Sequence, residues 1–219
     1  MYNYIFDLDG TIINSSKEVL LCFEKAFKKS GYKINQSRLT PNVIGPPLKD
    51  ILKLIAPDLE DEKLIDDIIE NFRQLYDYDE NDISELYEGI MEFLDESSKS
   101  GKKLFIATFK PDKPTQRIIK QFKLDMFKDI YTIDKFGKHI TKTEMIEDII
   151  TKYNLKKSET VMIGDAASDV IAAKQAGVKG IGVLWGYGEN KTPLIENSDI
   201  IVKNIEELRK FLNSNYQTI

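Results

Sequence analysis

Tyr2-Asn3-Tyr4-Ile5-Phe6-Asp7-Leu8-Asp9-Gly10-Thr11 stands at the head of the chain, and the remaining residues are organised around it. Apart from Asn3, residues 2–6 are aromatic or β-branched, which suits a buried strand, and Gly10 marks its end. Asp7 and Asp9 stand two residues apart with only a leucine between them. Side chains alternate along an extended chain, so these carboxylates would share one face. Like charges so placed repel unless a cation lies between them or one keeps its proton. A hard divalent ion such as Mg²⁺, which binds through one or two carboxylates plus a phosphate, meets that requirement. Gly10 permits a tight turn, and Thr11 adds a hydroxyl beside the charges.

Beyond this stretch, residues 15–85 show helical spacing and no strand-like alternation. Ser15 and Glu18 have capping-box spacing, and Val19, Leu20, Phe23, Ala26 and Phe27 then recur on one helical face up to Gly31. Thr40-Pro41 reads as another helix entry, and Gly45-Pro46-Pro47 as a hard break. Further helices are expected from Leu48 to Ile55 and from Leu64 to Tyr78, the latter with an acidic face that reads as solvated. From Leu86 the pattern alternates. Strands are expected at 104–107, 129–133, 160–163, 180–184 and 200–202, with helices at 90–94, 112–123, 142–153, 170–176 and 205–212. Repeated strand–helix units predict an α/β fold: a doubly wound parallel sheet from residues 1–14 and 86–219, with an inserted all-helical cap at 15–85.

Composition narrows the chemistry. The 219 residues, 42% hydrophobic, suffice for one core plus a subdomain. Thirty-six acidic against 31 basic side chains give a net charge of −5, which argues against nucleic acid or an anionic membrane as the main partner. No apolar run approaches bilayer-spanning length and the chain opens on a strand rather than a leader pattern, so a cytoplasmic location is expected. Cys22 is the only cysteine and His139 the only histidine, which excludes an internal disulfide, a cysteine zinc cluster and two-histidine mechanisms. His139, beside Gly137, reads as a loop residue. Carboxylates, lysines and hydroxyls are left to do the work.

In open α/β sheets, ligands bind beyond the carboxyl ends of the strands. Three expected strands end in a polar group: Asp7 after the first, Thr108 after Leu104–Ala107, and Asp165 after Thr160–Ile163. Packing alone would favour apolar residues there. Asp7-Leu8-Asp9-Gly10-Thr11 resembles the Asp-x-Asp-Gly-Thr signature of the haloacid dehalogenase superfamily, specifically its Mg²⁺-dependent phosphatases. Thr108, Lys142 and Gly164-Asp165-Ala166-Ala167-Ser168-Asp169 are similar to its second, third and fourth motifs. A helical insert between the first two motifs resembles the subgroup containing phosphoglycolate phosphatase, β-phosphoglucomutase and the dehalogenases.

That resemblance implies roles. Asp7 is expected as nucleophile and Asp9 as general acid and then base. Mg²⁺ is expected on Asp7, Asp165 and the backbone carbonyl of Asp9, with Asp169 one shell out, acting through water or on Lys142. Thr108 would donate to a phosphoryl oxygen, and Lys142 would balance charge between that oxygen and Asp7. Thr11, Gly45, Pro46, Lys49, Phe109 and Lys110 are the candidate substrate contacts, with Gly45-Pro46-Pro47-Leu48 as a rigid specificity loop. The sequence departs from the family pattern at Phe109, Glu88 and Asn14. Asp9 argues against dehalogenation, and Gly10-Thr11 favours hydrolysis over mutase chemistry. The expected substrate is a small phosphorylated metabolite such as phosphoglycolate, turned over by a monomer or homodimer. A 5′-nucleotidase, a pyrophosphatase and a phosphosugar mutase are the alternatives within the fold. A phospho-accepting signalling module would instead place its aspartate on a later strand and lack the large insert. No Gly-x-Gly-x-x-Gly follows the first strand, which excludes a dinucleotide site there.

Overall fold

A computed structural model describes residues 3–46, 48–78, 83–137 and 140–214. Tyr2, Pro47 and His139 lie outside the described residues. The first strand, β1 (Asn3–Phe6), sends Tyr4 and Phe6 to one face and Ile5 to the other, and all three are fully buried. Burial on both faces is the reason the segment is an apolar run rather than an alternating one. After a tight turn come β2 (Ile13–Asn14) and three helices, α1 (Ser16–Lys29), α2 (Leu48–Ile55) and α3 (Glu62–Tyr78). Then follow β3 (Glu85–Leu86), α4 (Ile90–Lys99), β4 (Leu104–Ala107), α5 (Asp112–Phe122), β5 (Phe127–Tyr131) and α6 (Lys142–Lys152). The chain ends with β6 (Thr160–Gly164), α7 (Ala167–Ala176), β7 (Lys179–Val183), α8 (Thr192–Asn197), β8 (Ile200–Val202) and α9 (Ile205–Ser214).

Six strands form a parallel sheet in the order β5-β4-β1-β6-β7-β8. The chain winds outward from β1 to β5, returns to β6 and winds the other way, so the direction reverses beside β1. Tyr4, Phe6, Ile106 and Ile163 pack on one face with Ile90, Phe93 and Leu94 of α4 and Leu208 and Leu212 of α9. Ile5, Phe105, Ala107 and Met162 pack on the other with Met145, Ile146 and Ile149 of α6 and Ala172, Ala173 and Ala176 of α7. Each large apolar side chain buried in this way stabilises the fold by about 1.5–3 kcal/mol. The doubly wound parallel sheet expected from the sequence is the sheet observed.

The chain divides into two compact units, Met1–Asn14, Leu86–Gly186 and Asn190–Ile219 forming one, Ser15–Glu85 with Tyr187–Glu189 forming the other. The helical unit has its own core, in which the tilted rings of Phe23 and Phe72 meet with centroids 4.2 Å apart beside Ile51, Ile55 and Ile68.

Local differences from the sequence reading have identifiable causes. The Ser15–Glu18 capping box does not form: the Ser15 N–H donates to the Tyr187 hydroxyl at 2.6 Å, and Glu18 accepts from the Ser84 hydroxyl at 2.5 Å. Thr40-Pro41 leads only into a 3₁₀ turn, Pro41–Val43. The strand expected at 129–133 lies at Phe127–Tyr131, beside a register shift at Leu104/Phe105 on the outermost pair of the sheet. Helix α7 starts at Ala167, earlier than its apolar residues suggest, because its first turn carries Ser168 and Asp169 instead of core side chains. The strands β2 and β3, two residues each, form a separate two-stranded sheet that periodicity could not reveal.

Candidate active site

The carboxyl ends of β1, β4 and β6 lie side by side, because Phe6 pairs with Ile106 on one neighbour and with Ile163 on the other. Asp7 follows directly, its N–H donating to the Ile163 carbonyl at 2.9 Å. Lys142 occupies the first turn of α6, where a cation is opposed by the helix dipole. A buried lysine there needs compensation, and Lys142 Nζ donates to Asp7 Oδ1 at 2.7 Å and to Asp169 Oδ1 at 2.5 Å. Asp169 is fully buried, and its second oxygen accepts the Ala166 N–H at 3.1 Å.

Carboxylate oxygens of Asp7, Asp165 and Asp169 lie within 4.8 Å of one another. Lys142 answers Asp7 and Asp169, and the Asp165 carboxylate lies close to both, a cluster of negative charge that a bound cation would offset. Burial pushes Asp7 up, to about 8, with Lys142 opposing and the carboxylates of Asp169 and Asp165 adding to the rise. Burial alone would lower the Lys142 ammonium, but Asp169 and Asp7 outweigh it and hold it above its ordinary value. The hard oxygen donors and their closeness fit Mg²⁺.

Space around Asp165 is reserved by glycines. Gly10 has φ of +82°, and a Cβ there would come within 2.3 Å of Asp165 Oδ2; one on Gly186 would approach the same oxygen equally closely. Thr11, fully buried, turns its hydroxyl to Asp165 Oδ1 at 3.4 Å. That contact orients the aspartate from inside the turn.

The other sequence candidates divide by location. Thr108 is buried at the end of β4, and its hydroxyl accepts the Lys110 N–H at 3.1 Å. Lys110 in turn donates through Nζ to Asp9 Oδ1 at 3.1 Å. Phe109 is partly exposed, its ring 4.9 Å from Lys142 Nζ. Asp7, Asp9, Thr108, Phe109, Lys110, Lys142, Asp165 and Asp169 therefore all lie at the strand ends of the sheet unit. Gly45, Pro46 and Lys49 belong to the helical unit, where Lys49 Nζ lies 3.5 Å from Asp66 and 3.9 Å from Glu62.

Several neighbours of the site were not legible as such. Tyr87 is held well above the ordinary phenol range by burial, then by the charges of Asp165 and Asp9. Lys191 is lowered by burial, with Asp165 opposing. Trp185 donates through Nε1 to the Thr11 carbonyl at 3.1 Å and so pins the turn that carries Gly10. Only the Trp185-Gly186 pair, directly after a strand end, offered a sequence signal for this segment.

A family model described as haloacid dehalogenase-like hydrolase matches residues 4–183. A phosphoglycolate phosphatase of Vibrio parahaemolyticus is 25% identical over 210 residues, covering 93% of this chain and 92% of that protein. The pyrophosphatase PpaX of Halalkalibacterium halodurans is 31% identical over 177 residues, 80% of each chain. A crystal structure from Clostridium difficile, provisionally designated a phosphatase, superposes with a TM-score of 0.85 at 31% identity, covering 96% of this chain and 98% of that one.

Proposed function

The chain belongs to the haloacid dehalogenase-like hydrolases, and from that premise we propose that it is a Mg²⁺-dependent phosphatase of small phosphomonoesters. The observation that carries this reading is the ammonium of Lys142 held between Asp7 and Asp169, beside Asp165, at the strand ends of the sheet unit. In this reading Asp7 and Asp165, with the backbone carbonyl of Asp9, would hold the cation. When bound, Mg²⁺ neutralises charge on the phosphoryl oxygens and on Asp7. An oxygen of Asp7 attacks phosphorus, the ester P–O bond breaks, and Asp9 gives its proton to the departing alkoxide. Water then attacks the aspartyl-phosphate, Asp9 takes up a water proton, and the P–O bond to Asp7 breaks to release inorganic phosphate. Lys142 balances the Asp7 and phosphoryl charges throughout, and Asp169 fixes its position. The Thr108 hydroxyl accepts from the Lys110 N–H, which leaves its own O–H to donate to a phosphoryl oxygen.

The helical unit would select substrates through Gly45, Pro46 and Lys49, and Phe109 would be a substrate contact of the sheet unit. One relative supports phosphoglycolate-like esters and the other pyrophosphate, and the ester is the reading taken here. Purified protein, assayed with phosphoglycolate, pyrophosphate and a panel of phosphorylated metabolites, should release phosphate with Mg²⁺ and stop with EDTA. Asp7→Asn should lower kcat by about 10³-fold or more. Turnover that survives chelation, or an Asp7→Asn variant at wild-type rate, counts against the mechanism; a pyrophosphate preference would favour the second substrate class.

A further inference from the structure

We propose that Lys110 is a positioning residue that acts through Asp9. The inference rests on the acid–base role of Asp9 above and assigns Lys110 a function other than gripping substrate. Its side chain is 2% exposed, whereas that of Asp9 is 22% exposed, and the two meet at 3.1 Å. A buried ammonium is retained only where a carboxylate or carbonyl compensates it. The exposed partner is the one that has to be aimed: an acid must lie within hydrogen-bond reach of the leaving oxygen, and a displacement of about 1 Å can cost about 10²-fold.

Lys110 is itself anchored by backbone contacts on each side. The Thr108 N–H donates to the Tyr131 carbonyl at 2.8 Å, and the Lys110 N–H donates to the Thr108 hydroxyl at 3.1 Å. Past Pro111, the Asp112 N–H donates to Asp134 Oδ1 at 2.9 Å, and the Thr115 hydroxyl donates to the Pro111 carbonyl at 2.7 Å. The loop between β4 and α5 is thereby tied to the end of β5 and to its own helix. One residue then couples two parts of the site: its backbone sets the Thr108 hydroxyl, and its ammonium sets the Asp9 carboxylate.

These two contacts can be separated, because Lys110→Met removes the ammonium and keeps the backbone N–H. The experiment is a double-mutant cycle of Lys110→Met and Asp9→Asn in the full chain with Mg²⁺, reading kcat/KM on an alkyl phosphomonoester and on p-nitrophenyl phosphate. On the alkyl ester, K110M should cost about tenfold or more in the wild-type background and about twofold or less once Asp9 is Asn. On p-nitrophenyl phosphate, whose leaving group needs no proton, K110M should stay within about threefold of wild type. Lys110→Arg should recover part of the alkyl-ester activity. An equal loss in both backgrounds, or on both substrates, would overturn the proposal in favour of direct substrate contact or general destabilisation. A D9N protein with wild-type activity would instead remove the acid–base reading, and this inference with it. Where K110M fails to melt cooperatively, Lys110→Gln takes its place in the same cycle.

Discussion

Asp129 accepts hydrogen bonds from Lys135 Nζ at 2.5 Å, Lys152 Nζ at 2.8 Å, the Tyr153 hydroxyl at 2.9 Å and the Ile130 N–H at 2.8 Å. Burial alone would raise its pKa, but these donors outweigh it and hold the carboxyl at about 2. Asp7 is the opposite case: donors outweigh burial at Asp129, whereas at Asp7 burial wins, and Asp169 and Asp165 add to it against Lys142. Between about pH 2 and the unfolded value of roughly 3.9, the unfolded chain binds this proton and the native chain does not, so stability rises with pH across that window. The Asp129 contribution is therefore complete above about pH 4 and disappears as pH falls toward 2. Wild type should be more stable than Asp129→Asn at about pH 6 in urea melts, with the gap narrowing toward about pH 2.5; a gap independent of pH would contradict the assignment. The same contrast defines what was readable residue by residue. Asp7, Thr108, Lys142 and Asp165 stand out because a polar group ends an apolar run or opens a helix. Tyr87 and Trp185 look like ordinary core aromatics and become neighbours of the site only through folding.

At the start of α6, the Thr141 hydroxyl accepts the Glu144 N–H at 3.2 Å and Glu144 Oε2 accepts the Thr141 N–H at 2.7 Å. This reciprocal cap fixes the first turn and hence the origin of Lys142, the next residue. Thr141→Ala should destabilise by about 1 kcal/mol, lowering Tm by about 2–4 °C in a chain of this length, and should reduce kcat as the turn frays. An unchanged Tm would show that Asp7 and Asp169 hold Lys142 without help from the cap. Helix α1 makes the opposite point. Ser15 and Glu18 have the spacing of a cap, yet the Tyr187 and Ser84 hydroxyls claim them, since partners brought in by folding compete with local ones. Spacing locates an element, but which hydrogen bonds close its ends depends on what else arrives there.

For the molecule as a whole, the chain leaves the sheet unit through β2 and returns through β3, and the two pair. Their ends are adjacent, so replacing residues 16–84 by a short Gly-Ser linker should cost little closure entropy. The shortened protein should melt cooperatively and hydrolyse p-nitrophenyl phosphate with Mg²⁺, while losing discrimination among metabolites. Loss of the cooperative transition would mean that the sheet unit depends on the helical one. The sequence by itself determined the alternation of strands and helices and the residues that end the strands, because these follow from local periodicity and residue chemistry. Only the tertiary structure decided that Asp7 and Asp169 share the Lys142 ammonium beside Asp165, that Gly10 and Gly186 both crowd Asp165, and that Lys110 reaches Asp9. Those relations join residues separated by as many as 176 positions of the chain, from Gly10 to Gly186, and strand order, which no local pattern encodes, is what brings them within bonding distance.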